Sequence, residues 1–133
     1  MYKELRVDFK ILFVEDDIDV VDIVQTVLNS YFKINAIVAY NGEDGFEQYL
    51  IHKPDLIISD LNLPGMCGLE MIEKIREIDN IVKIMVITGF GETDRLIRAT
   101  TVGLCGFFLK PVKLQDIINQ IEEIISDASK WGG

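Results

Sequence analysis

Five short apolar runs, each followed by a segment with helical spacing, constrain this chain more than any other feature. The runs are Lys10–Val14 (KILFV), Ile34–Ala39 (INAIVA), Asp55–Ser59 (DLIIS), Lys83–Thr88 (KIMVIT) and Phe107–Leu109 (FFL). Three of them lack polar alternation, which suits strands buried on both faces in a parallel sheet covered by helices. Between the first two runs, Ile18, Val21, Val24, Leu28 and Phe32 step by three or four, with Asp16, Asp17 and Asp19 at the expected helix start. Asn41-Gly42 signals a turn ahead of Phe46, Tyr49 and Leu50, and Pro64-Gly65 opens a loop ahead of Leu69, Ile72, Ile75 and Ile78. Thr93–Val102 reads as a shorter helix closed by Gly103, and Lys113–Ser126 as a well-patterned closing helix carrying Leu114, Ile117, Ile118, Ile121 and Ile125. Five strand–helix units with short connections make an α/β domain. No repeat or linker marks a second one. The expected organisation is a lead-in over 1–8, one domain over 9–126 and a tail over 127–133.

Composition narrows the class of function. A chain of 133 residues can bury roughly two-thirds of its unfolded surface and needs no staples. Its formal charge of -9, from 13 Lys+Arg against 22 Asp+Glu, repels a polyanion, and no basic run offsets it. Direct nucleic-acid binding is therefore not expected. Cys67 and Cys105 are too few for a disulfide framework or a zinc site. No apolar stretch approaches the roughly 18 residues a membrane helix needs, and no signal sequence is evident. The expectation is an acidic cytoplasmic domain without a membrane association.

Ligands of open α/β sheets bind beyond the carboxyl ends of the strands. Glu15-Asp16-Asp17 follow the first run, Asp60 the third, Thr88 ends the fourth, and Lys110-Pro111 follow the fifth. Each has a bland reading: helix-dipole acids, a turn aspartate, a strand threonine, a surface lysine. All four bland readings must hold together at the ends of four different strands. Clustered carboxylates repel, so a cation is wanted; oxygen-only ligands that retain waters suit Mg²⁺ better than Ca²⁺. A carboxylate beside a divalent ion, with an ammonium and a hydroxyl opposite, is equipped for phosphoryl transfer.

At this point the sequence resembles the receiver domain of two-component response regulators. The resemblance runs from Phe9 to Ser126 and rests on ILFVEDD at 11–17, PDLIISDLNLPGMCGLE at 54–70, MVITGF at 85–90 and GFFLKPV at 106–112. It implies a doubly wound, flavodoxin-like five-stranded parallel sheet of order 2-1-3-4-5, with helices on both faces. It implies Asp60 as phosphoacceptor for a histidine kinase phosphohistidine. Asp16, Asp60 and the Asn62 backbone carbonyl would hold Mg²⁺ or Mn²⁺, and Glu15 would act through a water. Lys110 would pair with the phosphoryl group, followed by a cis bond to Pro111, and Thr88 would bond a phosphoryl oxygen. Thr88 and Phe107 would form the switch, with Asp17 and Asp19 left to cap the first helix. Glu15 stands where Asp is commoner in the family, Phe107 has no hydroxyl, and Phe90 is apolar where many receivers are polar.

Partners implied are a sensor histidine kinase or phosphotransfer protein, and a second copy docking on the face of the fourth helix, fifth strand and fifth helix. Arg95, Arg98, Lys113 and Asp116 are candidates for that face. Such a domain is a signalling phosphoacceptor, not an enzyme; it catalyses only its own phosphorylation and dephosphorylation. Two rival readings are a haloacid-dehalogenase-like phosphatase, suggested by Asp17-Ile18-Asp19, and a receiver-like interaction module that is never phosphorylated. The first leaves Asp60 without a purpose, and the second leaves acceptor, metal and lysine positions intact for nothing.

Overall fold

The computed structural model describes residues 9–89 and 91–131, with side chains as far as Ser126 apart from Phe90. The lead-in over 1–8 and Phe90 lie outside the described residues. The strands are β1 (Ile11–Val14), β2 (Ile37–Ala39), β3 (Leu56–Asp60), β4 (Lys83–Thr88) and β5 (Gly106–Leu109). The helices are α1 (Ile18–Phe32), α2 (Gly42–His52), α3 (Gly68–Ile78), α4 (Thr93–Thr101) and α5 (Leu114–Trp131). All strand pairs are parallel and the order is β2-β1-β3-β4-β5, the expected doubly wound topology.

Strand periodicity divides the core into two layers. Successive side chains of a strand point to opposite faces. Ile11 and Phe13, Leu56 and Ile58, and Met85 and Ile87 therefore pack with Val21, Val24 and Leu28 of α1 and Ile117 and Ile121 of α5. Leu12 and Val14, Ile57, and Ile84 and Val86 pack instead with Tyr49 of α2, Leu69, Ile72 and Ile75 of α3, and Ala99 of α4. Both faces of the central strands are dry, which is why their sequences carry no polar alternation. β5 lies at the edge and does alternate: Phe107 and Leu109 are exposed, at 48% and 45%.

Several boundaries differ from the sequence expectation for local reasons. β2 begins at Ile37, not Ile34, because α1 ends in a left-handed Lys33 and Ile34 N–H returns to the Leu28 carbonyl. Ala36 is then held by the Gln25 side chain, which accepts from its N–H at 2.9 Å and donates to its carbonyl at 3.0 Å. α5 continues to Trp131, past Ser126, since loss of the apolar stripe does not break a helix and the first breaker in the sequence is Gly132. Ile18 and Ile78, read as parts of apolar stripes, are 63% and 58% exposed, as the first residue of α1 and the last of α3.

Candidate functional site

The carboxyl ends of β1, β3, β4 and β5 bring the expected residues to one rim. Glu15 directly follows β1 and its N–H donates to the Ala39 carbonyl of β2 at 3.0 Å, so it continues the ladder and its side chain is fully buried. Asp60 is the last residue of β3, not the first beyond it, and is 5% exposed. Thr88 closes β4, and Lys110 N–H donates to its carbonyl at 2.8 Å, extending β5 by one residue. The Lys110–Pro111 bond is cis.

Asp60 is gripped at both oxygens. Its Oδ2 accepts from Lys110 Nζ at 2.8 Å, and its Oδ1 from the Asn62 N–H at 3.0 Å. Glu15 Oε2 accepts from the Asp17 N–H at 3.2 Å, while Oε1 lies 3.3 Å from Lys110 Nζ but outside hydrogen-bond geometry. Ligand oxygens of Glu15, Asp16 and Asp60 all lie within 4.8 Å of one another, with Asp16 exposed to solvent and the other two buried. Thr88 is also buried, and its hydroxyl has no hydrogen-bond partner among the described residues. A buried hydroxyl left unpaired costs free energy unless a ligand completes it.

The electrostatics follow from this crowding. Burial pushes the Glu15 carboxyl above its usual range, and the neighbouring Asp60 charge adds to the shift; the Asp17 N–H and Lys110 oppose it without cancelling it. Burial would lower Lys110, but the hydrogen bond to Asp60 and the charges of Asp60 and Glu15 outweigh that and raise it. Among the described residues, Lys110 is the ammonium that faces Glu15 and Asp60, Asp16 lies beside them, and the buried Glu15 Oε1 lacks a hydrogen bond. The donor set is all oxygen, close enough to share one hard cation. The residues fit a Mg²⁺ ion.

Asp17 is committed elsewhere: its Oδ1 caps α1, accepting from Asp19 N–H at 3.0 Å and Val20 N–H at 3.4 Å. Asp19 follows in the first turn. Phe107 stands apart from the carboxylates on β5, opposite Val86 in register. Of the charges expected on the outer face, Arg95 pairs with Glu92 at 3.2 Å and Arg98 with Glu73 of α3 at 3.2 Å.

Two residues that hold the acceptor carried no signal in the sequence. The buried Ser59 hydroxyl donates to the Asp60 carbonyl at 2.8 Å. Gly68, at the start of α3, packs its Cα against that same carbonyl, so a Cβ there would overlap it. The Gly68 role shows only in a tertiary contact, and the Ser59 role only in the turn of its hydroxyl onto the next carbonyl.

A family model for the response regulator receiver domain matches residues 11–122. Over 92 residues the chain is 36% identical to the uncharacterized transcriptional regulatory protein YesN of Bacillus subtilis, covering 69% of this chain but only 25% of that protein. It is 26% identical to the sporulation initiation phosphotransferase F of Bacillus subtilis, covering 87% of this chain and 93% of that one. Among solved structures, the N-terminal domain of an uncharacterized protein from Wolinella succinogenes superposes with a TM-score of 0.81 at 32% identity, over 87% of this chain and 93% of that one. Among the described residues no helix is long and apolar enough to cross a membrane. Sequence motifs, sheet order and rim geometry agree with these likenesses, and the chain belongs to the response regulator receiver domain family.

Proposed function

We propose that the domain accepts a phosphoryl group on Asp60 from the phosphohistidine of a cytoplasmic sensor kinase or phosphotransfer protein. The observation that carries this is the Asp60 carboxylate, held between Lys110 Nζ and the Asn62 N–H beside the unpaired Thr88 hydroxyl. An Asp60 oxygen forms the new O–P bond as the donor's N–P bond breaks, and the imidazole nitrogen leaves with the electron pair. Lys110, already on Oδ2, follows the negative charge onto the phosphoryl oxygens, and Thr88 supplies a hydrogen bond to one of them. Asp16, Asp60 and the Asn62 carbonyl would hold Mg²⁺ or Mn²⁺, with Glu15 acting through a water. The ion would supply charge neutralisation for the transferring group. Asp17, engaged as the cap of α1, is unsuited to the nucleophile role that a phosphatase reading would assign it.

The same reading gives the domain an output. Register makes Thr88 and Leu109 neighbours, and side chains two residues apart on a strand share a face, so Val86, Thr88, Phe107 and Leu109 all lie on the α4 side. Drawing Thr88 toward the phosphoryl group opens space for the exposed Phe107 ring, which carries no hydroxyl that must be desolvated. The α4–β5–α5 face would then be read by a partner or a second copy. An apolar groove lined by Val20, Ile23, Val24, Pro111 and Leu114 shares Lys110 with the acceptor site and suits a helix of the phosphodonor protein.

Intact-protein mass after incubation with acetyl phosphate tests the reading. One phosphate should be gained with Mg²⁺, none without it, and none in Asp60→Ala. Undiminished labelling of Asp60→Ala would overturn it.

A further inference from the structure

The segment from Leu61 to Cys67 joins the acceptor strand to α3 and carries Asn62, yet it is neither helix nor strand. Its near end is fixed by Asn62 N–H on Asp60 Oδ1, and its far end by Gly68 N–H on the Leu61 carbonyl at 2.9 Å. Its later part, at Gly65 and Met66, is gripped by α2, an element without a residue in the acceptor site. Glu43, in the first turn of α2, accepts from the Met66 N–H at 2.7 Å through Oε2. Gly65 sits at φ +69, and a Cβ on it would lie 2.6 and 2.7 Å from the two Glu43 oxygens. Gly42 presses on the Met66 carbonyl so closely that a Cβ would overlap it. Two glycines thus let α2 and the loop approach, and one carboxylate locks them.

We propose that Glu43 is a positioning residue: by holding the loop at Met66 it fixes the backbone on which the Asn62 carbonyl is presented to the cation. This rests on the metal reading of the site given above. A helix-dipole role for Glu43 requires only its charge near the α2 N-terminus. It does not account for a carboxylate turned outward onto a loop amide between two glycines. An acceptor of Met66 N–H is what the loop needs, and a neutral side-chain carbonyl can also serve.

The test is Mg²⁺ titration by calorimetry on the parent, Glu43→Ala and Glu43→Gln, with melting curves of all three without metal. Loss of a residue that orients a metal ligand typically costs roughly 10- to 100-fold in affinity. Glu43 acts through the loop, so Glu43→Ala should weaken Mg²⁺ about tenfold, the low end of that range. Glu43→Gln keeps the hydrogen bond and should stay within about twofold of the parent. Equal affinity in parent and Glu43→Ala overturns the proposal, and so does a Glu43→Gln as weak as Glu43→Ala, which would leave charge as the cause. Amide exchange in the metal-free parent gives a reading independent of any variant. Met66 N–H should be protected relative to Gly65 and Cys67, and an unprotected Met66 overturns the proposal. A parent that binds no Mg²⁺ overturns the metal reading itself, and this inference with it.

Discussion

Tyr49→Phe removes one oxygen from a contact that ties α2 to the end of α3. Tyr49 is 1% exposed, and its hydroxyl donates to Asp79 Oδ2 at 2.8 Å. Asp79 Oδ1 also accepts from Ile81 N–H at 2.8 Å and Val82 N–H at 3.0 Å, ordering the turn into β4. The substitution keeps the ring, its stacking on Phe46 and its contact with Lys53, so packing is unchanged. A hydrogen bond to a charged group is worth about 1.5–3 kcal/mol, and water can reach the half-buried Asp79, so the lower figure of about 1.5 kcal/mol applies. That corresponds to roughly 5 °C in Tm for a domain of this size. Burial and the Asp79 hydrogen bond push Tyr49 up to about 12. Burial alone would raise Asp79, but the two backbone N–H groups, the phenol and Arg76 together hold it below its usual value of 3.8. A depressed carboxyl contributes stability that is present above its unfolded pKa and lost as pH falls through its folded one. A raised phenol contributes stability below its unfolded pKa that is lost as pH rises through 12. The difference between parent and Tyr49→Phe in urea unfolding should therefore be flat across neutral pH and shrink below about pH 4 and above about pH 10. A difference that is constant from pH 3 to pH 7, or below about 0.5 kcal/mol at neutral pH, would refute this reasoning.

Thr88→Val replaces the unpaired buried hydroxyl by a methyl of similar shape. Thermal unfolding should show the unphosphorylated protein unchanged or stabilised by up to about 1 kcal/mol, while its labelling by acetyl phosphate slows at least about tenfold. Calorimetry should find that Asp16→Asn loses more Mg²⁺ affinity than Glu15→Gln, because a direct ligand matters more than a water-mediated one; equal losses would contradict those roles. Beryllofluoride with Mg²⁺ should shift amide resonances along α4, β5 and the start of α5, and sedimentation should report whether a second copy binds there. Shifts confined to the Asp60 pocket would contradict the switch through Thr88 and Phe107.

The sequence is most legible where one local rule acts alone. The buried strands announce themselves because both faces are apolar, and Lys83–Thr88 is read to the residue. α1 is equally clear, since the Asp17 cap and the apolar step agree. The rim of the site is legible because strand ends are loci of function, so the sequence alone places Glu15, Asp16, Asp60, Thr88 and Lys110 together. Long-range contacts are hidden. Gln25 truncates β2 from eleven residues away, Gly68 of α3 packs on the Asp60 carbonyl, and Glu43 reaches a loop 23 residues downstream. Spacing along the chain carries no trace of these, because each depends on which elements the fold sets side by side. Arg98 illustrates the same limit: on its own helix it reads as a free surface charge, whereas α3 brings Glu73 to it.

The central claim is that Asp60 becomes an acyl phosphate. Borohydride reduction converts a phosphorylated aspartate to homoserine, and peptide mass spectrometry then identifies the residue directly. After reaction with acetyl phosphate and Mg²⁺, the account predicts homoserine at position 60 in the parent and at no other aspartate. Homoserine at Asp16 or Asp17, or a phosphorylated protein in which Asp60 survives reduction unchanged, would contradict it.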